Sequence, residues 1–87
     1  MNDKTYALVM KSIHTISKLR HAMCTAHLAE KNEIYREGNE NVDTTLKTVA
    51  GLAVVIDLFD TTMGVLDQLK RTKQEEEQAK KKGNNNE

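Results

Sequence analysis

The chain has 87 residues, with 13 Lys and Arg balanced by 13 Asp and Glu, a single Cys, no Pro or Trp, and only 3% aromatic residues. This length supports one domain at most. A formal charge of zero and so few aromatic side chains argue against a nucleic-acid binder that works through a net positive field or through base stacking. One Cys excludes an intramolecular disulfide, and the sequence opens without an export signal, so we expect a reducing, cytoplasmic location.

The first half of the chain predicts a helix over residues 4–37. Asn2 or Asp3 can cap its start, and Gly38 is the residue type that commonly ends a helix in a left-handed conformation. Apolar residues recur at the three- and four-residue spacing of a helix, although the stripe drifts after Ile16 and thins towards the end. The stripe comprises Tyr6, Val9, Ile13 and Ile16, followed by Leu19, Met23 and Ala26.

A second helix is predicted over residues 44–70, after a turn at residues 38–43, with Asn41 or Asp43 as its cap. Gly51 and Gly64 inside it each cost about 1 kcal/mol relative to Ala, so we expect them to mark the close approach of another backbone, or a bend. A break near Thr61 is the alternative. The apolar stripe of this helix comprises Leu46, Val49, Ala53, Ile56, Phe59, Met63, Leu66 and Leu69.

Residues 71–87 form a charged segment that can prolong the second helix into solvent. Its Glu and Lys residues are spaced for favourable pairs four apart, as in Glu76 with Lys80. Each pair contributes only about 0.2 to 0.5 kcal/mol, so we expect fraying along this segment and disorder from Gly83.

Apolar residues lie on more than one face of the second helix, and a hairpin has only one contact between its helices. Val49, Ile56 and Met63 are assigned to one face, and a second set is turned away from it, namely Leu52, Val55, Phe59 and Leu66. The second face must be buried, so the sequence predicts a long antiparallel helical hairpin that dimerises into a four-helix bundle, with a frayed polar tail. A three-helix monomer is the alternative. The predicted interface residues are Leu52, Val55, Ile56, Phe59, Met63 and Leu66.

Residues with metal-ligand chemistry cluster on the first helix, where His21, Cys24 and His27 follow one another at three-residue steps, with His14 upstream. A single helix rarely supplies more than two ligands, and the second helix has no His or Cys. These three residues are therefore weak metal candidates, and no metal site or cofactor is predicted. A thiol in mid-helix also lacks free amides for an oxyanion site, so we expect no enzyme activity.

Two groups of residues are candidates for binding another protein. Ile34 and Tyr35 are hydrophobic residues set among charges beside the turn, which is the pattern of an interface anchor. The alternative is a local staple against Val42 and Leu46 that closes the end of the bundle. The second group is an acidic strip on the second helix, for which a solvated stripe is the alternative, and it consists of Asp57, Asp60 and Asp67.

The sequence predicts a small non-enzymatic accessory or regulatory protein, of the adaptor, chaperone or inhibitor type, that binds a protein partner as a helical oligomer. The first alternative is a dimeric nucleic-acid regulator that uses Lys4, Lys11, Lys18 and Arg20, although these four do not form one tight face. The second alternative is a metal- or redox-responsive protein.

The stretch between Lys47 and Lys70 is long enough to cross a bilayer, but its three aspartates argue against spanning. Peripheral contact with a membrane stays open.

Overall fold

The computed structural model describes residues 1–85, with side chains through residue 81. Two helices, α1 (Asp3–Ile34) and α2 (Val42–Asn85), pack against each other, and no strand occurs among the described residues. The predicted all-α helical hairpin is therefore confirmed. The molecule is a rod of 74 × 18 × 14 Å, two helices wide along the length of α1.

The start of α1 is capped as the sequence predicts. Asn2 is the N-cap, and its side-chain oxygen accepts a hydrogen bond of 2.7 Å from the backbone N–H of Thr5. Asp3 places a carboxylate in the first turn, where it interacts favourably with the helix dipole. This local chemistry fixes the helix start within two residues of the beginning of the sequence.

The connection comprises residues 35–41, and α1 ends at Ile34, three residues earlier than predicted. The last turn tightens because the N–H of Tyr35 bonds to the carbonyl oxygen of Asn32, three residues back rather than four. Gly38 then has a φ of 85°, the left-handed conformation expected of it. Asn39 closes the loop by donating to the carbonyl oxygen of Glu33 at 2.7 Å.

α2 is continuous through Thr61 and Gly64, so the alternative of a broken second helix is wrong. It also runs past residue 70 to Asn85, because nothing in the charged segment interrupts it and its first part lies beside the start of α1. The bounds of α2 include Gly83, and the expected disorder from that residue onward stays a prediction. Residues 86 and 87 lie outside the described part of the chain.

The helices meet along one continuous line of buried and half-buried residues, which we call the seam. Its members recur at alternating spacings of three and four on both helices, a seven-residue repeat. Salt bridges from Asp3 to Lys73 and from Arg20 to Asp60 show that the helices run antiparallel. The seam consists of Tyr6, Val9, Ile13, Ile16, Arg20, Met23, His27, Glu30 and Ile34 on α1, and of Thr45, Val49, Leu52, Ile56, Phe59, Met63, Leu66, Lys70 and Lys73 on α2.

The seam differs from the predicted apolar stripes at several positions. Leu19, Leu46 and Leu69 lie outside it, at 45%, 47% and 38% exposure, and polar neighbours take their places. The separation of the apolar residues of α2 into two faces was wrong, since Leu52, Phe59 and Leu66 share the seam with Val49, Ile56 and Met63. A seven-residue repeat puts both sets against α1, whereas a stripe drawn through every apolar residue drifts around the helix.

Candidate interaction surfaces

A second line of residues at alternating spacings of three and four runs along the side of α2 opposite the seam. We call it the α2 outer face, and it consists of Gly51, Val54, Leu58, Thr61 and Val65. Val54, Leu58 and Val65 are 59%, 60% and 58% exposed. No described residue covers these side chains, although they have the spacing with which helices pack.

Gly51 and Gly64, inside α2, face open space. A Cβ atom built on Gly51 or Gly64 would meet no heavy atom within 4 Å. Among the described residues, therefore, no other backbone makes the close approach that was one of the two expectations for these glycines. Gly51 belongs to the α2 outer face, whereas Gly64 lies beside it, one position from Val65.

The residues predicted to form the oligomer interface lie mainly in the seam. Leu52, Ile56, Phe59, Met63 and Leu66 are half-buried along it, and Val55 is half-buried beside it. Sequence reasoning missed Val54, Leu58 and Val65 as the exposed set. The signal was present, since these three residues are spaced by four and seven and occupy the side opposite Ile56.

The acidic strip lies at the flank of α2, and one of its members is engaged within the chain. Both oxygens of Asp60 accept hydrogen bonds from Arg20, which raises the pKa of that guanidinium above its usual value. Asp57 and Asp67 are exposed. The structure therefore leaves Asp57 and Asp67 as the part of the predicted strip that is free to meet a partner.

Three lysines form a straight stripe on the outer side of α1. Lys4, Lys11 and Lys18 are each seven residues apart and all are exposed. We call them the α1 lysine stripe. Arg20 belongs to the seam instead, so the four basic residues together do not form one face, whereas the three lysines do.

Lys73 holds the two helices together at the end of the hairpin where α1 begins, and its side chain is 10% exposed. Its ammonium lies 3.0 Å from an Asp3 oxygen and 3.1 Å from a Glu77 oxygen, and it donates to the carbonyl oxygen of Met1 at 3.0 Å. The hydrogen bond that Lys73 donates to Asp3, together with the one that it donates to Glu77, raises the pKa of Lys73, and the same contact with Lys73 lowers the pKa of Asp3.

An open groove of about 580 Å³ adjoins this ammonium. All three N–H groups of Lys73 have acceptors, so it has no donor left for a ligand there. The role of Lys73 is therefore to hold α1 against α2. The groove is lined by Asp3, Tyr6, Lys73, Gln74, Glu77 and Gln78.

The two predicted anchors beside the turn have different surroundings. Tyr35 is 79% exposed, so its side chain is not packed against Val42 and Leu46 as a staple. Ile34 is half-buried and ends the seam on α1. Of the two, Tyr35 presents a free aromatic side chain.

The histidines and the cysteine of α1 are distributed over different sides of the helix. His14 and His21 are exposed, Cys24 is half-buried, and His27 belongs to the seam. No group of three or more His, Cys, Asp or Glu side chains in the described residues is arranged to hold a metal ion. The structure therefore does not bring His21, Cys24 and His27 together as a metal site.

One helix of the described chain, over Val42–Lys81, is long and apolar enough to cross a membrane by length and composition. None of the residues in its most apolar stretch of 18 is buried within the hairpin. Asp57 and Asp60 interrupt the same part of α2, and each ionised carboxylate near a bilayer centre is costly.

Comparison with known proteins gives no family assignment: no family model, curated protein or solved structure matches the chain.

Proposed function

We propose that this chain is a non-enzymatic helical protein that self-associates through the α2 outer face and acts by binding another protein, as an adaptor or regulator. The observation that carries the proposal is the exposure of Val54, Leu58 and Val65 at helix-packing spacing. In this scheme the seam is an antiparallel coiled coil, and the α2 outer face is a second helix-packing line on the same helix.

The small buried apolar core of the hairpin supports self-association. Val9 is the one apolar side chain among the described residues that is buried, so a single copy removes little apolar surface from water. Association adds apolar burial to that of a small core. A two-fold dimer uses the same patch twice, and it covers Val54, Leu58 and Val65 with residues of equal chemistry.

The side chains of the α2 outer face fit a second helix. Gly51 leaves room at one end of the face, where a partner backbone can approach closely, and the bulkier Leu58 lies at its centre. Asp57, which is also exposed, lies at the edge of this face rather than on it. A four-helix arrangement of two hairpins therefore keeps the carboxylates in water.

The test is the mass of the protein in solution, measured by light scattering at micromolar concentration. The wild-type chain is expected to have about twice the mass of one chain, and Leu58→Glu is expected to reduce it to one chain without loss of helicity. Leu8→Glu is the matched control, because Leu8 is 59% exposed against 60% for Leu58 but lies on α1. A wild-type monomer, or an equal effect of both substitutions, contradicts the proposal.

Protein binding is tested separately by affinity capture with the dimeric wild type as bait. The expected result is a specific protein partner that is lost with Tyr35→Ala or with a double substitution of Asp57 and Asp67 to Asn. Retention of every captured protein by all these variants excludes Tyr35, Asp57 and Asp67 as the binding surface, and the absence of any specific captured protein contradicts the partner-binding part of the proposal.

A further inference from the structure

The outer side of α1 has a charge pattern that the self-association of α2 does not use. Residues 4–29 contain no Asp or Glu, and the exposed α1 lysine stripe lies within them. No ion pair among the described residues involves Lys4, Lys11 or Lys18. These three ammonium groups are therefore available to a partner.

The spacing of the lysines matches the repeat of another helix. Residues seven apart on an α-helix are separated by about 10.5 Å along its axis. Carboxylates that recur every seven residues on a partner helix have the same separation, and flanking charge pairs of this kind select partners and orientation in paired helices. Lys4, Lys11 and Lys18 can thus each meet one carboxylate of a helix that lies along α1.

The residues between the lysines and in the turns after Lys18 also permit a helix to approach. Thr15, Ala22 and Ala29 continue the same outer side of α1 and are small and exposed. Leu8 and Leu28 are each 59% exposed and offer apolar contact near the two ends. This combination of small, apolar and cationic side chains is that of a helix-packing surface with a charge preference.

The narrow cross-section of the rod favours a helix over a polyanion. The rod is only 18 × 14 Å across, and it carries exposed carboxylates at the flank of α2 as well as the lysine stripe on α1. A broad anionic surface such as a nucleic acid or a lipid bilayer meets both charges, whereas a single helix meets only the stripe. The stripe also lacks arginine, the usual bidentate ligand of phosphate.

We infer that the outer side of α1 binds an acidic amphipathic helix of a partner protein, through Lys4, Lys11 and Lys18. This inference rests on the proposed protein-binding function and specifies the chemistry of the partner. It does not depend on the self-association of α2, because the lysine stripe and the α2 outer face lie on opposite edges of the rod.

The test uses the full chain and a labelled helical peptide that carries Glu at every seventh position, with binding followed by fluorescence anisotropy at low salt. The triple variant K4Q/K11Q/K18Q is expected to bind this peptide at least about tenfold more weakly than wild type. The control variant K31Q/K47Q/K81Q removes the same charge from exposed lysines outside the stripe and is expected to lose less than about threefold. A peptide with Gln in place of Glu is expected not to bind.

Several results overturn the inference. They are an absence of peptide binding at about 100 µM, an equal loss for the two triple variants, and a higher affinity for duplex DNA or for phosphatidylglycerol vesicles that depends on the stripe. A stripe-dependent rise in mass at low salt without peptide identifies a second copy as the occupant instead. Mass at physiological salt, measured on the same samples, reports on self-association independently, so the two proposals fail in different measurements.

Discussion

The outer sides of α1 and α2 occupy equivalent positions relative to the seam and carry opposite chemistry. On α1 this side presents Lys4, Lys11 and Lys18, whereas on α2 it presents Val54, Leu58 and Val65. The seam needs only one side of each helix to form the hairpin. The residues on the other sides are therefore free to differ, and their difference is what suggests two separate partners.

The largest expected change in the free energy of unfolding comes from comparing a substitution in the seam with one on the α2 outer face of the same helix. Ile56→Asp places a charge in the seam, and we expect it to lower the free energy of unfolding by about 3 kcal/mol, because the apolar contacts of Ile56 are lost and a carboxylate is moved partly out of water. Val54→Asp, on the opposite side of α2, is expected to change the stability of a single hairpin by less than about 0.5 kcal/mol.

Circular dichroism and light scattering of the two variants make the measurement. Ile56→Asp should lose helicity, whereas Val54→Asp should keep its helicity and lose only mass. Equal losses of helicity would show that both sides of α2 are needed for the fold, and the comparison of the two sides would then be wrong.

Sequence reasoning succeeded where apolar residues coincide with the seam and failed where polar residues occupy it. Ile13, Ile16 and Ile56 were placed correctly from their spacing alone. Arg20 and Lys73 were not recognised as seam residues, because an apolar stripe omits them, although their long aliphatic stems pack while the charged ends reach carboxylates.

The surfaces were less predictable than the helices for a related reason. The α2 outer face and the seam both consist of apolar residues at helical spacing. They differ in that α1 covers the seam residues and leaves the α2 outer face exposed. The packing of α1 against α2 leaves Leu58 exposed while Phe59 is half-buried in the seam.

The next prediction concerns the contacts of Lys73, which join the two helices where α1 begins. We expect Lys73→Met to lower the melting temperature, because Asp3 and the carbonyl oxygen of Met1 then lose their cationic donor. Lys31→Met, at an exposed position of α1, is the control and should leave the melting temperature nearly unchanged.

The pH dependence of these contacts has a defined sign. The pKa of Asp3 is lowered from 3.8, so its contribution is present above that pH and is lost as pH falls through the lower folded value. The pKa of Lys73 is raised from 10.5, so its contribution is present below that pH and is lost as pH rises through the higher folded value. The difference in melting temperature between wild type and Lys73→Met should therefore be constant from about pH 5 to 9 and shrink below pH 4. A difference that grows in acid contradicts this assignment.

Substitutions of Gly51 and Gly64 test the difference between the sides of α2 with a smaller expected effect. Gly51→Ala and Gly64→Ala should each raise the free energy of unfolding of one hairpin by about 0.5 to 1 kcal/mol, since both sites are helical and open. Gly38→Ala should lower it by about 1 kcal/mol, because its φ of 85° is strained for any residue with a Cβ.

Mass measurements on the same variants separate the two sites. Gly51 lies on the α2 outer face, so Ala there should weaken self-association, whereas Ala at Gly64 should not. An unchanged mass for Gly51→Ala would mean that no partner helix approaches this position closely.

The smallest expected effect on stability belongs to Tyr35, which lies at the end of the seam but outside it. Because its side chain is 79% exposed, Tyr35→Ala should change the free energy of unfolding by less than about 0.5 kcal/mol and leave the mass unchanged. If Tyr35 anchors a partner, the same substitution should weaken capture of that partner by more than about 1 kcal/mol, since buried aromatic residues contribute strongly to interfaces. Ile34→Ala is the contrasting variant, because its half-buried side chain belongs to the seam and its loss should lower the melting temperature. Capture that falls only in proportion to the unfolded fraction in both variants would exclude the turn as a binding site and leave the exposed Asp57 and Asp67 as the acidic alternative.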